Sequence, residues 1–330
     1  MVNRIFFLLV SLTALLIITV ATTIALFLQP FHARFFTPAE ARSTVTLIAV
    51  GDIMTSRMVA RQIIKPPTEN YPFTHIQDYL ATADIIFANL ETPVVEGDMV
   101  STTTMQFRSD PVVATLLHAA NISLVSLANN HMHDYKKKGL MRTVELMKEN
   151  GIQAAGAGVN THDAYAPVYV EKNGITVALL AYIDPGLAPA NAYPTDTLPG
   201  VAVMNMDKLR DGILEAKKHA DVVIVSMHGG REYTREPTAT QKNFAYAAID
   251  DGADIVLGHH PHWVQTVEEY KGKTIFYSLG NFVFDQLWSK ETRNGLTAKI
   301  TMTKEGITQV EQIPIYIDET YQPTIVQMDN

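Results

Sequence analysis

A membrane anchor followed by one α/β domain is the architecture that this 330-residue sequence predicts. Three observations lead there: an uncharged apolar run near the N-terminus, short β-branched runs alternating with helical stretches, and polar clusters directly after the strand candidates. A composition of 47% hydrophobic and 18% charged residues excludes a disordered chain. Cysteine is absent, which removes disulfides, thiolate metal sites, iron–sulfur clusters and cysteine nucleophiles. Any metal must then sit on histidine, carboxylate and amide ligands. The net charge of -8 argues against a nucleic-acid partner.

The run Ile5–Leu28 contains no charged residue. It is longer than the roughly 7 to 15 residues of a signal-peptide core and long enough for the roughly 20 that cross a bilayer. The small pair Ala39 and Ala41 lies too far downstream for ordinary cleavage. The run is therefore read as an anchor within residues 1–30, followed by a linker over 31–43 and a folded domain over 44–330. Arg4 on one side faces Arg34 and Arg42 on the other, a weak charge bias. A single N-terminal span ahead of a large domain favours the cell membrane, single-pass, with the domain extracytoplasmic.

Strand candidates are Val45–Val50, Asp84–Ala88, Ser123–Leu127, Ile175–Tyr182, Val222–Ser226, Ile255–Leu257 and Thr274–Ser278. They are apolar throughout rather than alternating, as in strands covered on both faces. Helical stretches intervene at Thr55–Ile64, Pro111–Ala120, Asp134–Asn150, Met206–His219 and Thr238–Asp251. In the third, Asp134 is expected as N-cap, with Leu140, Val144 and Met147 on one face and Gly151 just past the end. Strand character without helices over Gly295–Ile317 predicts additional antiparallel strands. No repeat or Pro/Gly-rich linker divides the domain.

Directly after the strand candidates come residues able to do chemistry: Gly51-Asp52, Asn89-Leu90-Glu91, Asn129-Asn130-His131, Ile183-Asp184, His228-Gly229-Gly230, Gly258-His259-His260-Pro261-His262 and Gly280-Asn281. In open α/β sheets the carboxyl ends of the strands form the ligand crevice, so these groups are expected to converge. Asp52 and Glu91 offer anionic oxygens, Asn130 a neutral oxygen, and His228, His260 and His262 imidazole nitrogens. That mixture suits Mn, Fe or Zn better than calcium. Two divalent ions about 3.5 to 4 Å apart would clamp an oxyanion and acidify a bridging water. Taken singly, Asp52 could instead cap the following helix, and a lone histidine could be a satisfied core residue.

At these residues the sequence resembles the bacterial CapA capsule-synthesis family, which includes the PgsA-like poly-γ-glutamate capsule proteins and is related to calcineurin-like metallophosphoesterases. Besides the strand ends, Asp134 and Glu232 and the run Ser278-Leu279-Gly280-Asn281-Phe282 carry the likeness, over about Thr44–Asp285. The resemblance implies a metallophosphoesterase-like sandwich of mixed β-sheets flanked by helices, with a dinuclear centre. It implies Asp52, Glu91, Asn130, His228, His260 and His262 as metal ligands, Glu91 bridging. It also implies His131 as the residue that protonates a leaving group, and leaves His259 as a spare in the outer shell or at the surface.

There are departures. Met54 stands where phosphoesterases carry a histidine, so the first metal keeps only Asp52, Glu91 and His262. Glu232 could complete a shell, act as general base, or form a surface ion pair with Arg235. Arg108 could grip an anionic substrate or pair with Asp110, and Asn281 is a further candidate for substrate binding. Two functional classes remain: a metal-dependent hydrolase or transferase of an envelope substrate, and a polymer-binding or transport accessory of a capsule synthase. The expected partners are the cell membrane, an anionic capsule polymer and other membrane subunits of that synthase.

Overall fold

The computed structural model describes residues 43–65 and 70–326. The expected span Ile5–Leu28 lies outside the described residues. Among the described ones, no helix is long and apolar enough to cross a membrane.

Among the described residues the strands are β1 Val45–Ile53, β2 Ile85–Leu90, β3 Ile122–Ser126, β4 Gln153–Ala155, β5 Ala157–Gly158, β6 Val168–Lys172, β7 Ile175–Ile183, β8 Gly200–Val201, β9 Val222–His228, β10 Ile255–His259, β11 Val267–Tyr270, β12 Lys273–Phe276, β13 Asn281–Val283, β14 Asn294–Thr303, β15 Gly306–Ile317 and β16 Pro323–Ile325. The helices are α1 Arg57–Ile63, α2 Gln77–Leu80, α3 Val112–Ala119, α4 Lys136–Glu149, α5 Thr161–Tyr165, α6 Met206–Ala216, α7 Ala239–Asp251 and α8 Lys290–Arg293.

Apart from the two-stranded pair β5-β8, one sheet runs β16-β15-β14-β1-β2-β3-β4, with β13 also on β1, and the other runs β11-β12-β10-β9-β7-β6. Both are mixed. Strands β1 to β4 are mutually parallel, whereas β14, β15 and β16 are antiparallel, as expected for Gly295–Ile317. In the second sheet β7, β9, β10 and β12 are parallel and the edge strands β6 and β11 antiparallel.

The layering follows from the strands' apolar runs. Along β7, Val177, Leu179, Ala181 and Ile183 belong to the core shared with the first sheet. The alternate residues Ala178, Leu180 and Tyr182 pack with Leu209 and Ile213 of α6 and Phe244 and Ala248 of α7. A strand with apolar neighbours on both faces needs hydrophobes at every position, which is why the run does not alternate. On the outer face of the first sheet lie α3 and α4, packed on β3 and β4. The order is helix, sheet, sheet, helix. Each fully buried Val, Leu or Ile contributes about 1.5–3 kcal/mol.

Two glycines bring neighbouring strands close beside the site. A Cβ on Gly51 would stand 2.0 Å from the Gly280 carbonyl oxygen, and one on Gly258 would stand 2.0 Å from that of Tyr277. Backbone cannot yield at such a distance, so only glycine fits. Helix α4 departs from expectation at its start: its N-cap is Tyr135, without a side-chain cap bond, because Asp134 is engaged elsewhere. At its end Gly151 has φ 72, as expected for a helix terminator.

Candidate metal centre

Register delivers the polar residues to one place. Asp52 on β1 pairs with Asn89 on β2 and Asn281 on β13, and His228 at the end of β9 pairs with His259 at the end of β10. Glu91 directly follows β2, its amide donating to the Ile53 carbonyl. Asn130 and His131 lie in the turn after β3. This turn is tied down by Asn129, whose Nδ2 donates to Leu90 O at 2.9 Å and whose Oδ1 accepts from Met132 N at 3.0 Å.

Two triads result, Asp52-Glu91-His262 and Glu91-His228-His260, all buried, with the candidate ligand atoms of each within 4.8 Å of one another. Glu91 belongs to both. Asn130 Oδ1 lies 2.8 Å from His228 Nε2. Two donors bound at right angles about 2.1 Å from one ion would stand about 3 Å apart, so the pair is spaced as neighbouring ligands. His262 Nδ1 donates to Asn281 Oδ1 at 2.9 Å, which leaves the Nε2 lone pair free.

The electrostatics suit a cation. Burial pushes the Glu91 carboxyl well above its ordinary range, and repulsion from Asp52 and Glu232 adds to the effect. Its Oε1 is buried without a hydrogen-bond partner, as is His260 Nδ1. Burial lowers His228 well below the usual histidine range and His260 to about 3, so both imidazoles are neutral with lone pairs available. Asp52 goes the other way: burial would raise it, but the imidazoles of His259 and His262 hold it well below the usual carboxylate range. An orphaned buried carboxylate oxygen beside neutral imidazoles fits a divalent metal.

His131 is positioned rather than free. Its Nδ1 lies 2.9 Å from Asp134 Oδ2, which also accepts from Phe107 N at 2.7 Å, and its ring stacks on Phe107 with centroids 3.8 Å apart. Nε2 is then left 4.0 Å from Glu91 Oε1, facing the cluster.

Of the other candidates, Glu232 is half-buried and near enough to repel Glu91. Its alternative partner Arg235 pairs instead with Glu291 at 3.6 Å. Asn281 is fully engaged in orienting His262, its Nδ2 donating to Thr292 O and Gln286 Oε1, so the structure gives it a supporting place rather than a substrate-facing one. Arg108 is outside the crevice, its Nη1 donating to Val95 O at 2.8 Å, and it makes no ion pair with Asp110 among the described residues. Asp184 also stays apart, accepting from Gly186 N.

Asn89 and Tyr233 hold places that the sequence does not assign to them, and His259 takes one of its two expected places. Asn89 Nδ2 lies 2.9 Å from Asp52 Oδ1 and 3.3 Å from both Glu91 Oε2 and His228 Nδ1, at the junction of the triads. His259, expected in the outer shell or at the surface, is fully buried with Nδ1 3.3 Å from Asp52 Oδ1, so the surface alternative is excluded. Tyr233 packs its ring against those of His262 and Trp288. Tyr233, His260 and His262 all have positive φ, of 59, 98 and 59 degrees, a strain of about 1–3 kcal/mol each that such sites commonly hold.

Fold and site together define a two-sheet α/β protein with a buried His/carboxylate cluster, able to bind metal, at the carboxyl ends of its parallel strands. Within that class the chain belongs to the family described as bacterial capsule synthesis protein PGA_cap, which residues 46–286 match. The capsule biosynthesis protein CapA of Bacillus anthracis is 36% identical over 83% of this chain and 68% of its own. The PGA biosynthesis protein CapA of Bacillus subtilis is 33% identical over 85% of this chain and 73% of its own. Among solved structures, a Staphylococcus aureus protein provisionally described as a 5′-nucleotidase superimposes with a TM-score of 0.52 at 13% identity, over 85% of this chain and 56% of that one. That likeness concerns the fold alone.

Proposed function

We propose that this protein is a membrane-anchored enzyme of capsule polymer biosynthesis, acting outside the cell on a polyglutamate or similar envelope substrate through a dinuclear metal centre of metallophosphoesterase type. The observation that carries this reading is Glu91, a fully buried carboxylate shared by two histidine-bearing triads with one oxygen unpartnered. Family membership supports the capsule, and the uncharged run Ile5–Leu28 supports the anchor.

Asp52, Glu91 and His262 would hold one ion, and Glu91, Asn130, His228 and His260 the other. When bound, such ions supply Lewis acidity and a water acidic enough to act as nucleophile near neutral pH. The chain's own part is proton delivery. Asp134 fixes Nδ1 of His131 and Phe107 fixes the plane of the ring, so Nε2 points at the cluster, where the imidazolium form would give a leaving group its proton. Glu232, near enough to Glu91 to repel it, would serve as general base.

Capsule yield in cells carrying His131→Gln or Asp52→Ala tests catalysis. His131→Gln should retain metal and lose roughly 100-fold or more in rate, the usual contribution of a positioned general acid. Normal capsule from both variants would reject turnover and leave a polymer-binding accessory, a reading that Met54 in place of an imidazole favours. For the anchor, external protease should degrade the domain in spheroplasts, and protection would reject that placement.

A further inference from the structure

Arg108 poses a question that the metal centre leaves unanswered. The residue is 5% exposed, yet no carboxylate among the described residues lies within salt-bridge distance of its guanidinium. Nη1 donates to a single backbone carbonyl, and Nε is buried without a partner. Buried charges are normally paired, because the desolvation of an isolated ion costs several kcal/mol. The other buried arginine nearby, Arg57, follows that rule through Asp285.

Arg108 lines a cavity of about 230 Å³ between α1 and α3, with Ile63 and Val113 as apolar walls and the exposed Asp98 and Asp110 beside them. Asp98 has no ion-pair partner among the described residues, and Asp110 Oδ1 accepts only from Val112 N. The cavity thus offers an unneutralised cation in its buried part, an aliphatic wall and two carboxylates in the more exposed part. A plain anion would meet Asp98 and Asp110; a plain cation would meet Arg108. A small molecule carrying both charges a few atoms apart satisfies all three. The volume, below the roughly 300 Å³ at which drug-sized sites begin, suits one amino acid rather than a nucleotide.

We propose that this cavity binds an amino-acid zwitterion, with the carboxylate on Arg108 and the ammonium between Asp98 and Asp110. In a γ-linked glutamate chain the amino-terminal residue keeps its α-ammonium and α-carboxylate free, and the chain leaves through its side chain. On the polymer reading above, on which this step rests, the cavity therefore holds the amino end of the polymer. It adjoins the metal centre through one short relay: Ser109 Oγ lies 2.7 Å from Thr55 Oγ1 and 3.0 Å from Thr92 Oγ1, next to Glu91. The residue on the other side of Arg108, Phe107, stacks on His131.

Isothermal titration calorimetry of the full-length protein in detergent, with L-glutamate, D-glutamate, glutarate and inorganic phosphate as probes, tests this. One glutamate enantiomer or both should bind saturably, and glutarate, which lacks the ammonium, should bind at least about tenfold more weakly, the worth of one charge-assisted contact. Arg108→Met should abolish the binding. Asp98→Asn combined with Asp110→Asn, both at exposed positions, should bring glutamate down to the level of glutarate, and this variant decides the matter if Arg108→Met does not fold. No glutamate binding, equal affinity for glutarate, or binding of phosphate in place of glutamate would overturn the assignment. Metal content of the same samples separates the two proposals: metal without glutamate binding sinks the cavity alone, and glutamate binding without metal sinks the metal centre alone.

Discussion

The two halves of the candidate centre share Glu91 and differ in what the protein supplies to them. On one side Asp52 accepts from Asn89 Nδ2 at 2.9 Å and His260 N at 3.3 Å, with the imidazoles of His259 and His262 at 3.3 and 3.5 Å, so its charge is stabilised by the chain itself. On the other side Glu91 Oε1 and His260 Nδ1 have no hydrogen-bond partner. One carboxylate is pre-ionised by its surroundings and the other is held as a strained acid. A preformed half would meet a cation with a fixed negative charge, whereas the second half would be relieved only by a cation's arrival.

The largest expected effect comes from that asymmetry and concerns sign. In metal-free protein, Asp52→Asn should cost about 3 kcal/mol, because it strips the partner from buried donors and imidazoles. Glu91→Gln should raise metal-free stability by about 1–2 kcal/mol, because it removes a buried carboxylate that lacks full compensation. Both should abolish binding of at least one metal equivalent. Chemical denaturation in chelator, with metal counted separately, measures this, and two shifts of the same sign would break the comparison.

A smaller effect is expected with pH. The folded-state pKa values of His228 and His260 are depressed by burial, so the unfolded chain binds protons that the folded one refuses as pH falls below about 6.5. Each histidine should then remove about 1.4 kcal/mol per pH unit, for His260 down to about pH 3. Glu91, raised in the fold, works in the opposite direction, since its cost develops as pH rises above about 4.5. With two histidines against one carboxyl, metal-free stability should decline on acidification between pH 6.5 and 4.5 and fall more steeply below. A profile that is flat, or that improves towards acid, would show that the imidazoles are not held neutral.

How much of this was legible in the sequence depends on where each residue sits. Asp52, Glu91 and His228 stand out because buried parallel strands are apolar throughout, and a charged or imidazole side chain at the end of such a run has no packing reason to be there. Asn89 lies inside β2, flanked by Ala88 and Leu90, and an amide within a strand gives no sign of whether it faces a core or a ligand. Asp134 has a ready local reading, an acid ahead of a helix, and only the fold brings Phe107 and His131 to it. Arg108 was legible as a residue with a purpose but not as one turned away from the crevice, since its surroundings come from α1 and α3. The C-terminal strand ends shifted by one to three residues, as at β9, which runs to His228 rather than stopping at Ser226.

Gly51 and Gly258 have a consequence for anyone who surveys this chain by saturation mutagenesis. Gly51 sits immediately ahead of Asp52 on β1 and Gly258, on β10, two residues ahead of His260, and each faces a carbonyl oxygen where a methyl group would stand 2.0 Å away. Every substitution there must pry two strands apart and carry Asp52 or His259 and His260 with them. Positions 51 and 258 should therefore score as intolerant as the ligands themselves while offering no atom to metal or substrate. A map of functional sensitivity would place them in the active centre, and only their chemical silence, with no rescue by any side chain or added ion, would distinguish scaffold from participant.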